Sequence, residues 1–297
     1  MAEIAATNSK KHRAQRFLKN YTWELHLFRH NPLAIFGLFI ILTALIAGAL
    51  APVIAPFDPL EIHPKDRLLA PSAKYIMGTD DFGRDIFSRI LFATRVDMLI
   101  AFSSVALSAL VGTLLGGISA YYGKFIDELI MRTMDIIQSF PAFIFAMSLA
   151  IALGTGKENI IIVVMVIMIP SFARLVRSEM LSAKERGYAE AALCMGVSDA
   201  GIIVRHLLPN CLTPIIIRFA LSMSYAILDA AGLSFIGLGI KPPEPEWGSM
   251  VNQGVRFIAN GKWWMSVFPG LVMAMVILGF NLFSDGLRDI FDPKIRS

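Results

Sequence analysis

Few residues in this chain are spaced for chemistry. The five histidines (His12, His26, His30, His63 and His206) are scattered, and no HExxH sets two of them on one helix face. The two cysteines, Cys194 and Cys211, form neither a metal nor a redox motif and read as small residues, buried or at lipid level. The stretch "GTGKEN", Gly154 to Asn159, lacks the spacing and the Ser/Thr of a phosphate-binding loop. "GLSFIG", Gly232 to Gly237, does not fit the GxSxG of a serine nucleophile and has no histidine nearby, so its glycines and Ser234 read as aids to close helix packing. The densest charge is in "GTDDFGRDIFSR", with Asp80, Asp81, Arg84, Asp85 and Arg89. Such carboxylates can hold a metal, but the arginines compete for the same oxygens, and a salt-bridged belt is the favoured reading. No residue set here predicts catalysis, and none predicts a cofactor bound by this chain.

The elements that carry these residues follow from composition. The chain has 297 residues, 56% hydrophobic and 17% charged, against roughly 45–50% and about 25% in soluble domains. The bilayer is therefore the expected solvent. The net charge of +4 points to basic residues meeting lipid headgroups, not to nucleic acid. A spanning helix needs about 20 mostly apolar residues. Six stretches qualify, near 33–55, 98–121, 134–153, 159–176, 213–238 and 263–283, which predicts an all-α integral membrane protein with six transmembrane helices. The implied plan is a leader 1–31, a first helix 32–56, an extracytoplasmic segment 57–97, a five-helix core 98–284 and a tail 285–297. Pro141 and Pro170 are expected to interrupt the third and fourth spans.

Orientation follows from the basic residues. The leader carries Lys10, Lys11, Arg13, Arg16, Lys19 and Arg29, which favours cytoplasmic N- and C-termini and a cytoplasmic loop 177–211. The segment 57–97 is also basic, with Lys65, Arg67, Lys74, Arg84, Arg89 and Arg95, but long loops cross largely regardless of charge.

Between the fourth and fifth spans runs "YAEAALCMGVSDAGIIVRHLLPN", residues 188 to 210, half polar in an apolar chain. Gly196 can take a positive φ and end a first helix. Ser198 or Asp199 can cap a second. Pro209 disfavours helical geometry at Leu208 and is expected to stop it. Ala191 and Ala192 lack bulk, so a partner surface can approach the backbone. The expectation is two short helices at a fixed angle, suited to docking a cytosolic partner.

This stretch resembles the EAA loop of bacterial ABC importer permeases, which reads Glu-Ala-Ala, three residues, Gly, nine residues, Ile-x-Leu-Pro. The matching residues are Glu190, Ala191, Ala192, Gly196, Leu208 and Pro209, with His206 in place of the Ile. "MGTDDFGRDIFSRILFATR" (Met77 to Arg95), "PPEPEWGSM" (Pro242 to Met250) and "FNLFSDGLRDIFDPK" (Phe280 to Lys294) are similar to segments of the peptide/nickel branch, with Ala93 and Asp97 departing from the Gly and Ser expected there. The resemblance spans roughly residues 25 to 297 and is nearest to the second permease subunit of dipeptide/oligopeptide importers.

It implies a type I ABC importer permease fold in a bacterial inner membrane, and a non-catalytic subunit forming half of a pathway for di- or oligopeptides. It implies a homologous second permease, two cytosolic ATPases that bind ATP and Mg, and an extracytoplasmic binding protein. ATP binding would swing the coupling loops and open the pathway outward, and hydrolysis would return it inward. Glu190 is the residue expected to orient the loop on the ATPase. Nickel, glutathione or another small solute is an alternative cargo. A passive channel and an intramembrane enzyme are readings of another class.

Three further expectations concern polar residues. Asp229, mid-way along the fifth span, costs roughly 2.5–3.5 kcal/mol to insert and is expected to line the pathway, gate it, or bond to a neighbouring span. Arg132 and Asp135, three apart, can pair on one helix face. Trp247, Trp263 and Trp264 read as interfacial anchors beside a rigid, proline-rich turn that can touch the binding protein.

Overall fold

Asn31, Asp85, Ser198 and Glu246 each cap the start of a helix, and Asp85 does so well before the apolar stretch that follows it. The computed structural model describes residue 29 and residues 31–291, without the side chains of residues 188–190 and 193. Most of the basic leader and residues 292–297 of the tail lie outside the described residues, as does the side chain of Glu190.

Helix α1 (Pro32–Ala49) starts at Asn31, whose side chain accepts from the Ala34 N–H at 3.1 Å, with proline in the first turn. A short α2 (Ala51–Ile54) follows. Helix α3 (Ile86–Tyr122) has 37 residues, roughly 55 Å at the usual rise, well beyond a hydrocarbon core of about 30 Å. It begins twelve residues before the expected second span at 98–121. The reason is Asp85, which caps the helix by accepting from both the Ser88 N–H and its hydroxyl. The added turns carry Ser88, Arg89, Thr94 and Asp97, all buried. Polar residues that are buried depress hydropathy without ending a helix.

Helices α4 (Lys124–Ser139) and α5 (Ala142–Leu153) stand where the third span is expected, interrupted at Pro141 as its position predicts and bent by 93° at their junction. Phe140 is extended, at ψ 146°, because the following Pro141 ring excludes the helical region. Pro170 behaves differently. Helix α6 (Lys157–Lys184) runs through it without a break, so the fourth span is not interrupted there. The Ser171 hydroxyl donates to the Met168 carbonyl beside it, a common adjustment around proline in lipid.

Helix α7 (Gly187–Cys194) is short. The long α8 (Asp199–Phe235), α9 (Trp247–Ile258) and α10 (Trp264–Phe291) complete the chain. Among the described residues, five helices are long and apolar enough to cross a membrane, and the bent α4–α5 pair makes a sixth if it counts as one crossing. No strand occurs among them. The fold is all-α.

The core lies where α3, α6, α8 and α10 meet, filled by Ile100, Val105, Val164, Phe172, Ala226 and Val276. Gly112 and Gly116 let α3 close on α6, since a Cβ at either would strike Phe172 or the Ala173 backbone. In lipid, where apolar burial gives helices no preference for one another, such close approach is a main source of association.

The buried arginines of the charged stretch at the start of α3 are paired within it. Asp80 pairs with Arg84 at 2.7 Å and lies 3.7 Å from Arg89, and all three are buried. Arg89 also donates to the carbonyls of Pro59 and Pro243. Gln253 donates to Asp81, whose carboxyl is pushed up by burial and by neighbouring Asp80. Among the described residues, no three His, Cys, Asp or Glu side chains are grouped to hold a metal. Trp247 is not an interfacial anchor. It opens α9 fully buried, its backbone N–H donating to Asp97 at 3.0 Å, and Trp264 is buried as well, leaving Trp263 exposed. Asp97, which stands where the resemblance leads one to expect Ser, thus has a partner. Arg132 and Asp135 do not pair either. Asp135 is held by Arg174 at 2.7 Å, and Arg132 lies 3.8 Å from Glu128.

Candidate functional site

The half-polar loop between α6 and α8 is built on a small core of its own. Ala192, Ile202, Leu207 and Cys211 pack with Ala120 from α3 and with Val176, Met180 and Ala183 from α6. Helix α7 ends at Cys194, and Gly196, at φ +74°, reverses the chain. That conformation favours glycine, and no atom lies within 4 Å of where its Cβ would be. Ser198 then caps α8, its hydroxyl accepting from the Gly201 N–H at 3.4 Å.

The second helix of the expected pair does not stop at Pro209. Residues Ile202–Leu207 form a π turn, Leu208 is helical at φ −57° and ψ −40°, and α8 continues through Pro209 into the fifth span. A π turn widens the backbone where the proline ring would otherwise meet the carbonyl four residues back. The loop's second arm and the fifth span are therefore one rod, so force applied to the loop acts directly on α8.

The two alanines of the motif have different surroundings. Ala192 is 1% exposed and faces the chain's own core, so its small size serves internal packing. Ala191 is exposed, with Cys194, Met195 and Gly196. Met195 is 74% exposed, an apolar side chain at the tip of a fixed support. Leu208 is half-buried and Pro209 exposed. The tip is apolar, open and backbone-accessible, and its surface suits a protein partner.

Asp229 stands apart from this loop. It is half-buried on α8 and has no hydrogen bond or ion pair among the described residues, so the expected bond to a neighbouring span is not made. One turn away, Gly232 faces Phe143 of the short α5, which places Asp229 near the broken helix pair.

Five crossing helices with a bent pair, and a half-polar loop fused to the fifth crossing, are features of a membrane transport component. Residues 112–297 match the family of binding-protein-dependent transport system inner membrane components, and residues 23–71 match the N-terminal transmembrane domain of oligopeptide transport permease C. The chain belongs to this family of inner-membrane transport components. It is a multi-pass, non-catalytic permease, and the family works with a binding protein and ATPases.

Among its relatives, the dipeptide transport system permease protein DppC of Alkalihalophilus pseudofirmus is 42% identical over 269 residues, 91% of this chain and 88% of that protein. The di/tripeptide transport system permease protein DppC of Pseudomonas aeruginosa is 38% identical, covering 91% of each chain. The glutathione transport system permease protein GsiD of Pectobacterium atrosepticum is 39% identical over 93% of this chain and 91% of its own length.

Proposed function

We propose that the chain is one of two homologous permease subunits forming the pathway of an ATP-driven importer of di- or oligopeptides. Its termini and the loop at 177–211 face the cytoplasm, and two ATPases, which bind the ATP and Mg, dock on the loops of the two permeases. A binding protein delivers substrate on the other side. The observation that carries this reading is the loop itself: Ala191, Met195 and Gly196 are exposed on a base with its own core, while the buried arginines of the charged stretch at the start of α3 are paired within it. Glu190 and Ala191 on α7 contact the ATPase, Gly196 sets the reversal, and Ala192, Leu208 and Pro209 shape the support. Asp229, half-buried without a partner among the described residues, serves the pathway or its gate.

Peptide cargo is supported by the relatives named for dipeptides and di/tripeptides. Glutathione, itself a tripeptide, is a second reading, favoured by the relative named for it. The test is uptake by the assembled complex in proteoliposomes, with ATP inside and loaded binding protein outside. The expected result is ATP-dependent uptake of labelled dipeptide that excess glutathione leaves unchanged. Glutathione uptake without dipeptide uptake would favour the second reading, and uptake of neither would overturn the proposal.

A further inference from the structure

We propose that Tyr121, at the end of α3 nearest the loop, is a positioning residue that ties both flanks of the loop to α3 and so passes loop movement to the membrane helices. The inference rests on the reading of this loop as an ATPase dock.

Tyr121 holds two separate strands of chain at once. Its phenol donates to Asp199 Oδ1 at 2.6 Å, and its backbone carbonyl accepts from Lys184 Nζ at 2.8 Å. The same ammonium lies 5.3 Å from the centre of the Tyr121 ring, within cation–π range. Lys184 is the last residue of α6 and Asp199 the first of α8, so these bonds bracket the loop. The ring packs partly buried against the loop's core.

The anchor itself is fixed. Two residues before Tyr121, the Ser119 hydroxyl donates to Asp127 of α4. Arg177 of α6 grips the same carboxylate with two nitrogens, Nη2 lying 2.6 Å from Oδ2, a bidentate geometry that fixes orientation as well as distance. The end of α3 is thus tied to α4 and α6, and Tyr121 extends that tie to α8. Because α8 is continuous from Asp199 through the fifth span, the phenol–carboxylate bond is a direct link between the α3 and α8 rods at the loop.

None of these atoms belongs to the exposed tip at Met195 and Gly196. Removing the Tyr121 hydroxyl leaves the docking surface, the ring packing and the Lys184 bond in place, and deletes one link. The expected loss is therefore one of coupling rather than of binding.

The experiment uses the full complex in proteoliposomes and reads three quantities: ATPase retention, ATP hydrolysis and substrate uptake. Tyr121→Phe should retain the ATPases and hydrolyse ATP within about twofold of the parent. Uptake per ATP should fall about tenfold, at the low end for a hydrogen bond to a charged group. Asp199→Asn keeps an oxygen acceptor and should retain most of the parent ratio, whereas Asp199→Leu should lower it like Tyr121→Phe. The double variant Tyr121→Phe/Asp199→Leu should be no worse than the poorer single one, the signature of one shared interaction. An unchanged ratio in Tyr121→Phe would overturn the proposal. So would a loss of uptake that only tracks lost assembly or lost ATPase, since the bond would then be structural. If the parent complex neither retains ATPases nor couples hydrolysis to uptake, it is the function reading that fails, and the two failures are distinct.

Discussion

The segment before α3 and the loop between α6 and α8 are both polar interruptions of an apolar chain, yet they are built in opposite ways. In the first, Asp80, Arg84 and Arg89 are buried with one another; outside it, Glu246 is likewise buried while capping α9 through the Gly248 and Ser249 N–H groups. Burial pushes the Glu246 carboxyl up, and those N–H groups pull it back. In the second, the polar atoms tie the flanks and the tip presents Ala191, Cys194, Met195 and Gly196 to the outside. Density of charge is thus a poor guide to function in this molecule. Charges that satisfy one another hold the scaffold together, whereas an exposed apolar tip on a packed base is left for another protein.

The contrast breaks most visibly if Asp80 is removed. Asp80→Ala leaves two buried guanidinium groups without their carboxylate, which costs about 3–5 kcal/mol when a buried pair is broken. The expected outcome is a large fall in unfolding temperature or a failure to assemble, measured on detergent-purified protein. A loss of ATPase binding with full stability would reverse the assignment of the two regions.

Within the loop, neighbouring alanines sharpen the comparison. Ala192→Leu crowds a site that is 1% exposed and should destabilise by about 1–3 kcal/mol. Ala191→Leu, on the exposed side of the same helix, should change stability by less than about 0.5 kcal/mol while weakening ATPase retention. Denaturation curves and pull-downs on the two variants separate these outcomes, and equal behaviour would contradict the burial difference.

The smallest expected effect concerns Asp66. Hydrogen bonds from Lys74 and Tyr75 hold its carboxyl below the usual carboxylate range. A depressed value means the contribution is complete above the unfolded carboxylate value of about 3.9 and is lost as pH falls through the lower folded value. Unfolding temperatures of the parent and Lys74→Ala should therefore differ slightly near neutrality and converge under acid. A gap that widened on acidification would contradict the pairing.

Much of this was legible in the sequence. The all-α membrane class followed from apolar stretches, and Gly196 and Ser198 behave as their residue types require. What escaped was polar burial. Hydropathy placed the start of α3 too late because Arg89 and Asp97 are buried polar residues whose partners include the distant Pro59, Pro243 and Trp247, while Thr94 is buried by bonding back to the Ile90 carbonyl of its own helix. The same blindness made Trp247 an anchor, since nothing local reveals that its side chain is fully buried at the start of α9. Proline was an uneven guide. Pro141 breaks a helix sharply, while Pro170 and Pro209 are carried within helices, the latter by a π turn that no residue pattern announces. The Tyr121 tie joins residues 78 apart in sequence, and only the fold brings them together.

The central claim is that the exposed tip of the loop is where the ATPase docks. The most direct test is co-purification of the tagged chain, expressed with its native neighbours, as the parent and as Ala191→Trp. Ala191 is exposed and helical, so the added ring strains no backbone and displaces no core residue. The account predicts that the parent brings down two ATPase chains and a second permease, and that Ala191→Trp keeps the permease but sheds the ATPases. ATPases retained in full by Ala191→Trp, or absent from the parent under every nucleotide condition, would contradict it.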